Sequence, residues 1–227
     1  MSSVKKIATG LLICVTIFMA YAFYISRNLT SMTTRQKILK AFYPALMWVN
    51  NITGSKSSAP ANELAQPAVS FYSLQAILSD GASFNFSSLK NKKVLIVNTA
   101  SDCGYTDQYA ELEKLYQQYK GQLEILAFPA NDFKEQEKGN DAAIAEFCKI
   151  NYGVSFPLMA RSIVVKSTSQ NPVFNWLTNP ASNGWNSKAP GWNFSKYIVN
   201  DKGQLTHYFD SGVSPLSKEV INAINEN

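Results

Sequence analysis

The sequence predicts an α/β domain in which helices flank a mixed, partly parallel sheet, with an N-terminal transmembrane or signal helix in front of it. Two features predict the domain: apolar runs long enough for buried strands, and a helical period between them. The chain of 227 residues has room for one domain and added segments. We expect a signal anchor or signal peptide at 1–27, an amphipathic juxtamembrane helix at 28–54, a linker at 55–68 and the domain at 69–227.

The amino-terminal segment is apolar enough to enter a membrane. Residues 7–25 carry no charge, with Lys5 and Lys6 before them and Arg27 after them. As a helix, this stretch spans roughly 28 Å, about the thickness of a hydrocarbon core. Two interpretations stay open: an uncleaved anchor, or a signal peptide cleaved after the small-x-small pattern at residues 20–22. We expect a membrane-anchored chain with its domain on the exported side, or else a secreted or periplasmic protein after cleavage.

A second helix is predicted directly after this segment. Thr33 and Gln36 can form a capping box, and apolar residues follow at helical spacing. One alternative places the helix in the lipid headgroup region, a depth that suits the side chains of Tyr43 and Trp48. The other alternative packs the helix on the domain, and the sequence does not decide between them.

Charge and residue usage exclude several classes of function. Residues 1–60 hold seven basic and no acidic residues, so the net charge of +5 arises there and the domain is nearly neutral. A nucleic-acid partner is therefore not expected. With a single histidine, His207, and three cysteines, neither a zinc site nor a disulfide-stapled scaffold is predicted. We expect no metal and no cofactor.

The elements of the domain follow one another in an order that fits a thioredoxin-like fold, with strands alternating with helices around a partly parallel sheet. Turn signals and periodicity predict, in order, a hairpin at 71–86, a strand at 93–99, a helix at 106–120, a strand at 123–128, a helix at 141–150, a strand at 158–165, a helix at 172–178, a hairpin of 196–199 with 204–209, and a helix at 215–225.

Cys103 lies where such a fold places its reactive groups. It follows the first buried strand and precedes the first helix, and ligands of these sheets bind beyond the carboxyl ends of the strands. A helix N-terminus favours the thiolate and is expected to lower the pKa of the thiol. Position makes Cys103 a candidate nucleophile, and an inert buried cysteine is the alternative.

Three sequence motifs narrow these alternatives. Residues 98–106 (NTASDCGYT) resemble the N-V-A-S-x-C-G-x-T segment of the glutathione peroxidase family. Residues 128–137 (FPANDFKEQE) resemble its F-P-C-N-Q-F-x-x-Q-E loop, and residues 192–194 (WNF) its W-N-F segment. The motifs keep the order and similar spacing of the family, and the resemblance covers roughly residues 70–225. It implies a peroxidase reaction on hydrogen peroxide or on organic or lipid hydroperoxides.

The resemblance also implies roles for particular residues. Cys103 is the expected peroxide-attacking residue, supported by Gln136, Trp192 and Asn193. The two amides and the indole N–H are neutral donors, which can stabilise a thiolate and then the leaving oxygen without adding a titrating group.

Cys148 matches the position of the resolving cysteine in the thioredoxin-using members of the family. It is expected to form a disulfide with the Cys103 sulfenic acid, and a thioredoxin-like protein to reduce that disulfide. A buried cysteine on a helix face is the alternative. Ala130 stands where the family has a loop cysteine, so position 130 cannot supply the resolving thiol. The short loop at 178–191 resembles that of members that are often monomeric, and we expect a monomer.

Other functions remain open at this point. A peroxide sensor or thiol–disulfide relay would begin with the same chemistry at Cys103. A one-cysteine enzyme would use glutathione, although the domain shows no basic cluster typical of a glutathione site. A purely structural Cys103–Cys148 disulfide would leave the polar residues of the three motifs without a purpose.

Overall fold

The computed structural model describes residues 31–54, 57–59 and 66–226, together with scattered positions before residue 30. The membrane segment predicted at 7–25 therefore lies largely outside the described residues, as does much of the linker predicted at 55–68. Among the helices that the structure does describe, none has both the length and the apolar character required to cross a bilayer.

Strands and helices alternate from residue 93 to residue 152, and two short helices, a pair of strands and a last helix follow. The strands are β1 (Ser57–Ser58), β2 (Gln75–Ile77), β3 (Ser83–Asn85), β4 (Lys93–Thr99), β5 (Leu123–Pro129), β6 (Lys196–Val199) and β7 (Leu205–Phe209). The helices are α1 (Thr34–Thr53), α2 (Gln108–Gln118), α3 (Asp141–Tyr152), α4 (Pro172–Leu177), α5 (Pro180–Asn183) and α6 (Lys218–Asn225).

The central sheet is mixed, as the order of elements predicts. Its strand order in the described chain is β1-β7-β6-β4-β5. β4 and β5 are parallel, with Lys93 opposite Leu123, and α2 connects them. β6 is antiparallel to both β4 and β7. The parallel pair brings the ends of β4 and β5 to one edge, where the loops that carry the motifs begin.

Apolar layers cover both faces of the sheet. Along β4, Leu95 and Val97 join a cluster with residues of α2, α3 and α6, whereas Val94 and Ile96 join a second cluster that includes residues of α4. Successive side chains of a strand point to opposite faces, so a strand buried on both faces has a continuous apolar sequence. This confirms the interpretation of residues 93–99.

The prediction of a strand at residues 158–165 is wrong. Leu158 and Met159 form only isolated bridges, to Ala127 and Leu78 respectively. Farther along, the Ser162 amide donates to the carbonyl of Pro129 at 2.8 Å. The backbone groups of this apolar segment are thus divided among β5, the hairpin and loop groups, so no single neighbour supplies a continuous ladder. Side-chain burial alone does not distinguish this arrangement from a strand.

The amino-terminal hairpin is shorter than predicted. Residues 71–73 form a 3₁₀ turn, and β2 and β3 pair around a tight turn in which Gly81 has φ of 88°. Left-handed backbone of this kind favours glycine, so the Asp80-Gly81 pair suits the turn of this predicted hairpin.

Helix α1 packs on the domain through polar contacts. Thr33 and Gln36 form the predicted capping box. The Gln36 amide also donates to the carbonyl of Ser101 at 3.1 Å, and Asn50 donates to the Tyr105 hydroxyl at 3.1 Å. Further contacts join Arg35 to Asp102, Lys40 to Asp107 and Tyr43 to Glu111. The alternative in which this helix packs on the domain is therefore the one that the structure shows, and its partners belong to the segment around Cys103.

Candidate functional site

Cys103 lies in a compact loop between β4 and α2. Its backbone N–H donates to the Thr106 hydroxyl at 3.0 Å, and that hydroxyl donates to the carbonyl of Ala100 at 2.8 Å. These bonds fold the loop so that the amide of Tyr105 donates to the Cys103 sulfur at 3.5 Å. Only 1% of Cys103 is exposed. The loop itself thus supplies one hydrogen-bond donor to a buried thiol.

The loop after β5 brings Gln136 to this site. Two backbone bonds tie it to the Cys103 loop: Ala130 N to Thr99 O at 2.9 Å, and Asp102 N to Gln136 O at 3.1 Å. Asp132, which replaces a glutamine of the family motif, accepts the Val164 amide at 2.8 Å. This carboxylate therefore holds the neighbouring segment at Val164.

The Trp192–Asn193 segment is fixed against β4 and β6. The side-chain amide of Asn98 donates to the backbone carbonyl of Trp192 at 3.1 Å. The backbone carbonyl of Asn98 accepts from the Phe194 amide at 2.6 Å. Phe194 has φ of 69°, an uncommon value for a side chain of this size. The buried side-chain nitrogen of Lys196 donates to the Phe194 carbonyl at 2.6 Å and stabilises this turn.

These three segments bring the four predicted catalytic residues together. The Trp192 indole and the Asn193 amide lie near the Cys103 sulfur, where hydrogen bonding from them lowers the pKa of the thiol. Asn193 also donates to the side-chain oxygen of Gln136 at 2.9 Å. Gln136 is thus joined to this group of residues through Asn193.

The pKa of Cys103 is raised, in contrast to the sequence-based expectation. Burial is the largest cause, and the nearby Asp102 carboxylate adds to it. The donors from Tyr105, Trp192 and Asn193 lower the pKa but do not outweigh burial. The helix expected to favour the thiolate begins only at Gln108, five residues beyond the sulfur-bearing residue. Desolvation therefore dominates over the helix dipole.

Cys148 lies inside α3 and is completely buried. Burial raises the pKa of its thiol to about 12, despite a hydrogen bond with Tyr109 that lowers it. Cys103 and Cys148 belong to the same apolar cluster, and both are free thiols. The structure thus places the two sulfurs in one core region without a bond between them.

Glu137 is a buried group of the site to which the sequence assigns no role, although it ends the second motif. Its carboxylate accepts the Ser101 hydroxyl at 2.5 Å, and its amide donates to Asn131 at 2.9 Å. Burial raises the pKa of Glu137 to about 7. The motif contains the residue, but only the fold shows that it lies beneath the Cys103 loop. The sequence also did not predict that the side chain of Lys196 is buried, because a lysine at the start of a strand is ordinarily exposed.

Other groups lie away from this chemistry. His207 stacks on Phe209 with ring centroids 5.6 Å apart and has Glu226 at 3.7 Å. Across residues 31–54, 57–59 and 66–226 there is no group of three or more His, Cys, Asp or Glu side chains arranged to hold a metal ion. The described site therefore holds a thiol and neutral donors, with the Glu137 carboxyl beneath the loop.

A cleft of about 550 Å³ opens beside Trp192. Asn50 and Gly54, at the end of α1, form one wall, and Tyr105 and Trp192 lie on the domain side. The outer wall of this opening therefore comes from α1, an element that precedes the domain.

A family model described as glutathione peroxidase matches residues 71–178. The glutathione peroxidase-like peroxiredoxin 2 of Saccharomyces cerevisiae is 44% identical over 149 residues, which cover 65% of this chain and 91% of the yeast protein. The glutathione peroxidase of Lactococcus lactis subsp. cremoris is 40% identical over 152 residues, or 66% of this chain and 96% of that protein. The residues that the family model matches begin after the end of α1, so α1 lies outside the matched region.

Solved structures show the same architecture. The crystal structure of T. cruzi GPX1 is 29% identical and has a TM-score of 0.51, with 69% of this chain and 97% of the other covered. A thiol:disulfide interchange protein of the thioredoxin family from Chlorobium tepidum is 15% identical and has a TM-score of 0.50, with 70% of this chain and 94% of the other covered. The fold is therefore thioredoxin-like.

Proposed function

The chain belongs to the glutathione peroxidase family and is an oxidoreductase of the peroxidase class, and from this premise we propose how its residues carry out the reaction. Cys103 is the residue that attacks the peroxide. The observation that carries this assignment is the surroundings of its buried sulfur, which accepts the Tyr105 amide and has the Trp192 indole and the Asn193 amide beside it as donors that lower the pKa of the thiol. Three neutral donors around one buried thiol favour a negative charge at that point.

In the first step, the Cys103 thiolate attacks one oxygen of the hydroperoxide and the O–O bond breaks. One oxygen stays on sulfur as a sulfenic acid, and the other leaves with a proton as water or an alcohol. Negative charge moves from the sulfur to the leaving oxygen, so the donors already placed around the sulfur can also stabilise the charge on that oxygen. Gln136 positions the Asn193 amide through their 2.9 Å hydrogen bond.

In the second step, Cys148 attacks the sulfenic acid, a disulfide forms and water leaves. The shared apolar cluster of the two thiols supports this pairing. Since Cys148 is buried within α3, the helix must shift or unwind locally for the sulfurs to reach bonding geometry. A thioredoxin-like protein then reduces the disulfide by thiol–disulfide exchange, which restores both thiols.

A one-cysteine reaction is the second candidate, and the depth of Cys148 favours it. A thiol with a pKa of about 12 is almost entirely protonated at neutral pH and is a poor nucleophile there. In this reaction an external thiol such as glutathione would attack the sulfenic acid in its place. A peroxide sensor or relay would share the first step and pass the disulfide to another protein.

The proposed setting is a membrane surface, with a monomeric chain attached through residues 7–25 and its domain on the exported side. Support comes from the uncharged stretch itself and from the absence of acidic residues before residue 61. Attachment would bring the enzyme close to lipid hydroperoxides, and the alternative substrates are hydrogen peroxide and smaller organic hydroperoxides.

A thioredoxin-coupled assay tests this assignment in the full chain, in which the third cysteine, Cys14 of the apolar segment, is replaced by serine (Cys14→Ser). Cys103→Ser should abolish peroxide consumption, because no other residue at the site can take its place. Cys148→Ser should consume about one equivalent of peroxide and then stop with thioredoxin as the only reductant. Unchanged activity in Cys103→Ser would contradict the assignment, and sustained turnover of Cys148→Ser with glutathione would favour the one-cysteine reaction.

A further inference from the structure

Helix α1 carries an apolar stripe that the domain leaves exposed. Ile38, Ala45, Val49 and Ile52 are spaced by seven, four and three residues, which places them along one side of an α-helix. Ile38 is 52% exposed, Val49 45% and Ile52 64%. We name these four residues the outer stripe. Trp48 lies beside it and is 65% exposed.

The domain cannot be what covers the outer stripe, because α1 already contacts the domain with its other side. Gln36, Lys40, Tyr43 and Asn50 hold that inner side against the Cys103 loop and α2. The inner side of α1 therefore has its partners in the domain, whereas the apolar residues of the outer stripe face outward, which is unusual for a surface helix. An outward apolar row of this length indicates a contact with something other than the domain.

Charge and chain order indicate what that contact is. No acidic residue occurs in residues 1–60, so nothing in or before α1 opposes an interface rich in phosphate groups. The uncharged residues 7–25 precede α1 by only a few residues and would hold it beside any bilayer they enter. Trp48, with its apolar ring and polar N–H, suits the boundary between headgroups and acyl chains.

We propose that the outer stripe of α1 docks on the surface of a phospholipid bilayer and so holds the Cys103 face of the domain toward the lipid. The inner side of α1 contacts Ser101 and Asp102, next to the reactive residue. A bilayer on the outer side would therefore lie about one helix diameter, roughly 10 Å, from the Cys103 loop. The cleft bordered by Asn50 and Trp192 would open at the same surface.

This inference rests on the proposed attachment through residues 7–25. Attachment of the chain and docking of the outer stripe are measured by two separate signals. The full chain is mixed with phosphatidylcholine vesicles, either plain or brominated on the acyl chains near the headgroup. Flotation of the chain with vesicles reports attachment. Quenching of Trp48, taken as the difference between the wild type and Trp48→Phe, reports docking of the outer stripe.

We expect brominated lipid to reduce the Trp48 signal about twofold or more in the wild type, as for an indole at the headgroup boundary. The double variant Val49→Asp/Ile52→Asp should lose this quenching and still float. Ile77→Asp replaces an equally large and 47% exposed side chain in the hairpin, and should behave as the wild type.

Flotation without Trp48 quenching would overturn the docking proposal and leave attachment intact. Equal Trp48 quenching in the wild type and in the double aspartate variant would also overturn the docking proposal, because the attached segment at 7–25 alone would then bring Trp48 close to the lipid. A third outcome is that Trp48 is shielded from solvent in the absence of lipid, in a dimer that the double aspartate variant does not form. That result would show that a second copy of the chain, and not the bilayer, covers the outer stripe. Peroxide consumption is measured separately and bears on neither result.

Discussion

At Cys103, burial and hydrogen bonding act on the thiol in opposite directions. Burial raises its pKa, and the donors from Tyr105, Trp192 and Asn193 lower it. Only the thiolate attacks the peroxide, so the net pKa sets the reactive fraction. Below that pKa, each unit of pH changes the thiolate fraction about tenfold. The reaction with peroxide should therefore accelerate as pH rises through neutrality.

Replacing one donor should shift this pH profile. Trp192→Phe keeps an aromatic ring and removes the indole N–H, so the pKa of Cys103 should rise. A hydrogen bond to a charged group contributes about 1.5–3 kcal/mol, so the single-turnover rate at neutral pH should fall roughly tenfold or more.

The measurement is the rate of thiol loss with hydrogen peroxide at a series of pH values. Trp185→Phe is the matched control, because that indole donates to the carbonyl of Leu205 at 2.7 Å and not to the thiol. An unshifted profile in Trp192→Phe would show that the indole does not stabilise the thiolate.

Glu137 is expected to make stability depend on pH. Burial raises the pKa of its carboxyl from 4.5 to about 7 in the folded protein. The folded state therefore binds more protons than the unfolded state in this range. The resulting stabilisation is fully present below pH about 4.5 and is lost as pH rises through about 7.

Glu137→Gln removes this titration. Relative to the wild type, the variant should gain up to about 3 kcal/mol in free energy of unfolding between pH 4.5 and pH 7. Urea unfolding at several pH values measures the difference, with Glu146→Gln, an exposed glutamate of α3, as the control. A difference that is constant with pH would mean that Glu137 is ionised throughout this range.

The element that most changes the site is α1. Ion pairs and hydrogen bonds join its inner side to the segment from Ser101 to Glu111, and the reactive residue lies in that segment. Leu46 approaches Gly104 so closely that an added Cβ there would lie 3.3 Å from the leucine methyl group. Access to Cys103 should therefore depend on how firmly α1 is docked.

Lys40→Ala tests this dependence. Its ammonium pairs with Asp107, and the two side chains are 19% and 20% exposed. Loss of a partly exposed pair costs about 1 kcal/mol, so alkylation of Cys103 by iodoacetamide should accelerate several-fold. Lys90→Ala changes an exposed lysine outside α1 and should leave the rate unchanged. Identical rates in the two variants would show that α1 does not limit access.

Regular elements were the most predictable part of the whole molecule. β4 and β5 follow from continuous apolar runs, because strands buried on both faces need them. Residues 158–165 have a similar composition, yet their hydrogen bonds go to several partners, and a pattern of side chains carries no information about that. Local periodicity therefore predicts burial better than pairing.

The members of the candidate site were also predictable, but their energetics were not. Three motifs identify Cys103, Gln136, Trp192 and Asn193, and the fold brings them together. The direction of the thiol pKa depends on burial from distant elements, including α1, and so requires the folded structure. The same reason explains why the depth of Glu137 was not foreseen and why the sequence left two alternatives open for the packing of α1.

The measurement that tests the account most directly is the response of the fully reduced chain, in the Cys14→Ser background, to one equivalent of hydrogen peroxide. Free thiols and intact mass are followed over time. The account predicts rapid loss of both thiols and a mass lower by two hydrogen atoms, as for a disulfide between Cys103 and Cys148. Loss of one thiol with one added oxygen would remove Cys148 from the reaction. No rapid change in either quantity would contradict the assignment of Cys103 itself.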